Sequence, residues 1–125
     1  MTRTREVFVF VRRGEEFLVL HRSPENDAYW HGVAGGVEEG ESFAEAAVRE
    51  LQEETGLVAE TRPIRHRFDY DGIVVECFLA EAPAGWEPEL DWEHDDYRWC
   101  TFDEAVALFH WPDVGDALRE LWRRR

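Results

Sequence analysis

Residues 35–57 read GGVEEGESFAEAAVRELQEETGL. Two signals inside this stretch bound a helix. Ser42-Phe43-Ala44-Glu45 has the S-x-x-E form of a capping box, in which the hydroxyl and the Glu carboxylate satisfy each other's free backbone N–H groups, so Ser42 is the predicted N-cap. Gly56 is the matching stop, because glycine takes the left-handed C-terminal position without a side-chain clash, and Leu57 can close over the last turn. Between these ends, Ala44, Ala47, Val48 and Leu51 predict an apolar stripe. Glu50, Glu53 and Glu54 stand at i, i+3 and i+4, so the three carboxylates share one sector of the helix, with the stripe centred elsewhere and Arg49 on the flank. Like charges at this spacing repel by a few tenths of a kcal/mol per pair. Water can absorb that cost, as on any solvated acidic face, or a hard divalent cation can, since Mg²⁺ takes a few carboxylates and keeps waters and substrate phosphates as its other ligands.

Working outward, Val7 to Val11 and Phe17 to Leu20 read as a hairpin turning near Gly14. Residues 23–29 form a polar loop, and the three glycines between Trp30 and Val37 exclude a helix there. Residues 58–70 and 73–82 read as a second hairpin around Asp71-Gly72. An acidic loop from Pro83 to Trp92 leads to a strand at 97–102. Thr101 to Glu104 is a second capping box opening a helix to about Phe109, and Pro112 suits the first position of a final helix packed through Val114, Ala117, Leu118 and Leu121. No repeat, low-complexity linker or hinge divides the chain, so a single mixed α/β domain over residues 1–125 is expected.

Gly35, Glu41 and the run Arg49-Glu50-Leu51-Gln52-Glu53-Glu54-Thr55-Gly56-Leu57 fill every defined position of the Nudix box, G-x5-E-x7-R-E-U-x-E-E-x-G-U with U aliphatic. The chain therefore resembles the Nudix hydrolases, and the order of its elements resembles their fold, a mixed β-sheet sandwiched between α-helices. The resemblance implies hydrolysis of a nucleoside diphosphate linked to another group, usually with Mg²⁺ and sometimes Mn²⁺. It implies Glu53 and Glu54 as principal metal ligands and Glu50 as a ligand or the base that activates water. It implies Arg49 as the residue that orients the carboxylates, and Glu41 as a partner of Arg49 or an outer ligand. Gly35 and Gly36 would let backbone approach the metal, and Gly56 is structural. The chemistry agrees: metal neutralises a polyphosphate's oxygens and acidifies a bound water, while carboxylates hold the metal and accept the proton.

Outside the box, Glu93-His94-x-x-Tyr97-x-Trp99 resembles a segment of two Nudix subgroups, the dihydroneopterin triphosphate or nucleoside triphosphate pyrophosphatases and the asymmetrical dinucleoside tetraphosphate hydrolases. By that likeness Glu93 is a further metal ligand and catalytic residue. Asp95 and Asp96 are alternatives, and the same residues also read as a solvated acidic loop. His94 reads as structural or substrate-orienting. Tyr29 to Glu41 is more similar to the first subgroup, which favours a nucleoside or pterin triphosphate cleaved to a monophosphate and pyrophosphate. A dinucleoside polyphosphate or nucleotide sugar is the alternative substrate, and a non-catalytic nucleotide sensor the alternative class. For substrate binding, Arg22, Arg65 and Arg67 are candidates for phosphate, and Tyr29, Trp30, Phe68 and Tyr70 for a ring.

The rest of the composition excludes more than it selects. The chain has 125 residues, a net charge of −14 and no Lys, all 14 basic residues being Arg. Such a chain is a poor partner for a nucleic-acid polymer, whose phosphates need a basic field. It has no apolar run approaching the ~20 residues of a membrane span. Cys77 and Cys100 form no metal or redox motif and read as buried free thiols. The opening Met-Thr-Arg-Thr-Arg-Glu runs straight into a strand with no apolar leader, so a cytoplasmic location is expected. His21, His66 and His110 read as structural or exposed. Exposed aromatics such as Trp86, Trp92 and Trp111 are compatible with a homodimer as well as with core packing.

Overall fold

Val7 to Val11 is an unbroken apolar run because the strand it forms is covered on both faces. A computed structural model describes residues 4–124. In it, β1 (Arg5–Arg13) forms a hairpin with β2 (Glu16–Arg22). After a short 3₁₀ turn the chain forms β3 (Trp30–His31), paired with β2, and β4 (Val33–Gly36), antiparallel to the first half of β1 from Glu6↔Gly36 to Val9↔Val33. The helix α1 (Phe43–Thr55) follows. Then β5 (Arg62–Tyr70) and β6 (Ile73–Glu81) form the second hairpin, and β6 runs parallel to β1 along the whole of its other edge. The last strand, β7 (His94–Cys100), returns to pair with β2, before α2 (Phe102–Leu108) and α3 (Pro112–Arg123). Among the described residues the result is a seven-stranded mixed sheet between helices.

The period-2 alternation of the strands divides the core into two layers. Phe8, Phe10, Phe17, Val19, Cys77 and Leu79 point to one face, where α2 and α3 cover them through Ala105, Val114, Ala117 and Leu118. Val7, Val9, Val11, Leu18, Leu20, Phe78 and Ala80 point to the other, where Ala46, Ala47 and Leu51 of α1 cover them. Each fully buried Phe, Leu or Val contributes roughly 1.5–3 kcal/mol, and it is the second layer that holds α1 on the sheet.

The helix ends match their signals. The Ser42 hydroxyl accepts from the Glu45 N–H at 3.0 Å, the Glu45 carboxylate accepts from the Ser42 N–H at 2.9 Å, and Gly56 is left-handed at φ 82°. The second capping box, Thr101 with Glu104, also forms. Asp71 and Gly72 both have positive φ, 47° and 78°, as a tight primed turn requires. Cys77 and Cys100 are free and buried.

Three details differ from the sequence reading. The buried face of α1 is Ala46, Ala47, Glu50, Leu51, Glu54 and Thr55, while Ala44 and Val48 face solvent. The helix is rotated so that two glutamates, not the predicted apolar pair, meet the sheet. β7 begins at His94 and ends at Cys100, earlier than 97–102, because the edge of β2 continues to offer partners as far as Arg22↔His94 through a bulge after His21. Pairing to an existing edge outweighs the weak strand propensity of Asp95-Asp96. β5 begins at Arg62, with residues 58–61 outside it.

Candidate active site

The rotation of α1 decides the site. Glycine at position 35 of β4 leaves room beside the sheet, and a Cβ placed there would overlap the Glu50 carboxylate. Glu50 and Glu54 therefore enter the gap between α1 and β4, with relative exposures of 9% and 2%. Glu53, one step round the helix, keeps a side-chain exposure of 56%.

Arg49 ties this cluster to the loop before the helix. Its guanidinium donates to both oxygens of Glu41 at 2.8 and 2.9 Å, to the Gly36 carbonyl at 2.9 Å and to Glu50 at 2.7 Å, with Glu53 at 3.3 Å. The charge-assisted fork lowers the Glu41 carboxyl to about 2. Glu41 also accepts from the Glu38 N–H at 2.9 Å, which fixes the loop that enters α1.

Glu54 has no such cation. It accepts from the Ala34 N–H at 3.3 Å and lies beside Glu50. Burial, then the neighbouring Glu50 carboxylate, holds its carboxyl well above the usual range. The His94 imidazole closes the far side, with Nδ1 bonded to Asp91 at 2.8 Å and Nε2 3.8 Å from Glu54. That Nε2 is buried without a hydrogen-bond partner among the described residues. Glu93 is half-buried, and its carboxyl is raised by burial and then by Asp91, with a smaller push from Glu50. So Glu93 lies within the field of the cluster. Asp95 and Asp96 are engaged elsewhere, Asp95 with His21 at 2.6 Å and Asp96 on the Tyr97 N–H at 2.8 Å.

Among the described residues no three His, Cys, Asp or Glu side chains are drawn together tightly enough to enclose a metal ion. The donor set still fits a hard divalent cation. It is all oxygen, and of its two buried carboxylates only Glu50 meets a guanidinium. The His94 Nε2, 3.8 Å from Glu54, makes no hydrogen bond to it, so the Ala34 N–H is the donor Glu54 has. Mg²⁺ needs only one or two carboxylates from the protein, since waters and phosphate oxygens complete its shell.

The same wall opens on its other side into an aromatic cavity of about 500 Å³ lined by Tyr29, His31, Ala34, Phe68, Tyr70, Trp111 and Asp113. Tyr29 stacks on His110 at 4.9 Å and meets Trp111 edge-on at 5.9 Å. The Tyr70 hydroxyl donates to Glu6 at 2.7 Å. Arg22 lies 5.2 Å from the Tyr29 ring centroid and donates to the Asn26 carbonyl at 2.8 Å. Burial holds His31 neutral, with its pKa lowered to about 3.

Other named residues are placed apart from this cavity. Trp30 packs on His21 and under Arg98 and does not line the cavity, because adjacent residues of the extended chain point to opposite faces. Arg67 pairs with Glu76 at 2.7 Å, and Arg65 lies near the start of β5. The sequence reading does not single out His31, Asp91 and Asp113, and it names Trp111 only for dimer or core packing. Asp91 three residues before His94, and His31 two residues after Tyr29, are the local signals; Trp111 and Asp113 reach the cavity only through tertiary folding.

A NUDIX domain model matches residues 2–121. The chain belongs to the Nudix family. It is 35% identical over 132 residues to an octanoyltransferase of Myxococcus xanthus, covering 98% of this chain but 36% of that protein. It is 33% identical over 114 residues to the asymmetrical bis(5'-nucleosyl)-tetraphosphatase of Sus scrofa, covering 84% of this chain and 77% of that one. The structure of the E. coli dihydroneopterin triphosphate pyrophosphohydrolase superposes with a TM-score of 0.84 at 20% identity, covering 97% and 96% of the two chains, which is a likeness of fold. As a Nudix hydrolase, the chain belongs to enzymes of phosphoanhydride bonds, a family generally dependent on divalent metal. No helix among the described residues is long and apolar enough to cross a membrane.

Proposed function

We propose that this Nudix domain hydrolyses a nucleoside or pterin triphosphate to the monophosphate and pyrophosphate, with Mg²⁺ or Mn²⁺. One observation carries the reading: Ala34 gives its N–H to Glu54 and also lines the aromatic cavity, so the carboxylate cluster and a ring-sized cavity share a wall. A triphosphate whose ring stacked near Tyr29 and Tyr70 would lay its phosphates toward Glu50 and Glu54. Asp113 is an acceptor at the cavity, suited to the N–H groups of a purine or pterin edge.

Glu50, Glu53 and Glu54, with Glu93, would hold the metal, which when bound neutralises phosphate oxygens and lowers the pKa of water. Arg49 keeps Glu50 and Glu53 aimed while Glu41 and the Gly36 carbonyl keep Arg49 aimed. In the reaction a water oxygen bonds to phosphorus, the anhydride P–O bond breaks, pyrophosphate departs, and a carboxylate takes the water's proton. We assign that proton to Glu93, half-buried at the edge of the carboxylate cluster. Tyr29 and Arg22 bind the ring and first phosphate, with Tyr70 on the β5 side. Small phosphorylated metabolites are the partners this site suits. The free buried thiols support a cytoplasmic setting.

The tetraphosphatase relatives favour a second reading, cleavage of a dinucleoside tetraphosphate. A panel of triphosphates, dinucleoside polyphosphates and nucleotide sugars with Mg²⁺, with products resolved by chromatography, tests both. Pyrophosphate plus monophosphate supports the first; a nucleoside triphosphate released from the dinucleotide supports the second. No turnover of any member overturns both and leaves a binding domain.

A further inference from the structure

At the far end of the same strands lies a cavity of opposite character. β1 carries Glu6 at the aromatic cavity and Arg12 at this one, six residues or about 20 Å along the strand. The second cavity is about 730 Å³ and is lined by Arg12, Arg62, Ile64, Arg65, Leu121 and Arg124, together with Pro63. Four of the chain's 14 basic residues meet there, in a chain of net charge −14, and no carboxylate is in the lining.

Three elements build it. In β5 the pairing with β6 slips between Pro63 and Arg67, so the intervening residues bulge out of the ladder. The bulge turns Ile64 inward and leaves Arg65 left-handed at φ 58°, a conformation few non-glycine residues adopt. The Ile64 carbonyl accepts from Arg124 at the end of α3, which docks that guanidinium at the rim. Arg12 comes from the end of β1 and is gripped by Glu81, which also lies 3.6 Å from Arg62. Glu120 holds Arg124 at 2.9 Å. Arg65 has no carboxylate partner among the described residues. Two carboxylates thus balance four guanidiniums, and the surplus faces the cavity.

We propose that this cavity is a second anion site, which takes a small phosphorylated ligand bearing a di- or triphosphate group without any metal. Guanidinium is the side chain suited to this ligand, since its planar fork meets phosphate oxygens bidentately and it cannot lose its charge. The site is chemically complementary to the carboxylate cluster, which repels a bare polyphosphate. It stands independently of the function proposed above.

The two sites separate in EDTA. Isothermal titration of the full chain with sodium pyrophosphate, in EDTA at about 0.15 M ionic strength, is expected to show one-to-one binding. The pair Arg62→Gln/Arg65→Gln, both exposed, is expected to weaken it at least tenfold. The control pair Arg98→Gln/Arg119→Gln, with the same loss of charge, is expected to change it less than threefold. Amide shifts in the wild-type chain should fall on residues 62–67 and 121–124. Absence of binding in EDTA, equal weakening by the control pair, or shifts centred on residues 34–36 and 50–54 would each overturn the proposal.

Discussion

Replacing Gly35 by Ala isolates the contact that brings carboxylates into the core. No positive φ is needed at Gly35, so Ala strains no backbone there; the whole effect is spatial. The new methyl would overlap the Glu50 carboxylate, and ordinary van der Waals separation is regained only if that group withdraws by roughly 1 Å. Because the obstructed atoms are the far end of a flexible side chain, the stability cost belongs at the low end of overpacking, about 1 kcal/mol, or a Tm loss of about 4 °C for a domain of this size. The functional cost is larger. Glu50 would leave the position set by Arg49 at 2.7 Å, and a displacement of that size in a catalytic group costs about 100-fold in kcat. Gly32 supplies the contrast, since a Cβ there meets Phe8 Cζ at 2.5 Å, a rigid ring in the core. Gly32→Ala should therefore lose about 2–3 kcal/mol of stability while the folded fraction keeps its kcat. Steady-state kinetics on the best substrate, with calorimetric melting of both variants, reads the split. A Gly35→Ala enzyme within threefold of wild-type kcat, or one whose Tm falls by more than about 10 °C, would refute the placement of Glu50.

Other outcomes follow from the charges. Glu54→Gln should lower turnover more than about 100-fold yet raise Tm in EDTA once the pH is well above the ordinary carboxyl range, because it removes the ionised form that burial and Glu50 disfavour. The sign follows from the raised pKa: in the metal-free wild type, stability is fullest below the ordinary carboxyl value and falls as pH rises through the folded one, a slope that Glu54→Gln should flatten in a denaturant-midpoint series. His31 acts in the opposite direction. With its pKa lowered to about 3, the unfolded chain takes up a proton below 6.5 that the folded chain refuses, so stability should fall on acidification between those values, less so in His31→Phe. Glu93→Gln should cut kcat about 100-fold while Asp96→Asn, whose carboxylate is spent on the Tyr97 N–H, stays within threefold; the reverse order in a kinetic comparison would move the proton acceptor.

Much of the site was legible because its signals are local. A capping box, a left-handed glycine and an i, i+3, i+4 run of glutamates concern residues within a few turns of one another, and backbone geometry alone relates them. The Asp71-Gly72 turn is equally local. The aromatic cavity was half legible: Tyr29 and Tyr70 line it, but Trp111 and Asp113 come from the N-cap and first turn of α3, some 80 residues after Tyr29, and no pattern near Tyr29 points to them.

What the amino-acid sequence determined by itself was the mixed α/β class, the capped helix, the identity of the carboxylates and the family to which they belong. Only the tertiary structure decided which carboxylates are buried. Three glutamates within one sector of a helix are equivalent until the helix docks, and it docks on the strand where Gly35 leaves space, so Glu50 and Glu54 turn inward while Glu53 stays in water. Tertiary structure also divided the arginines between the two ends of the sheet. Hydrophobic layering fixes how far α3 runs past β5, and therefore which guanidiniums meet.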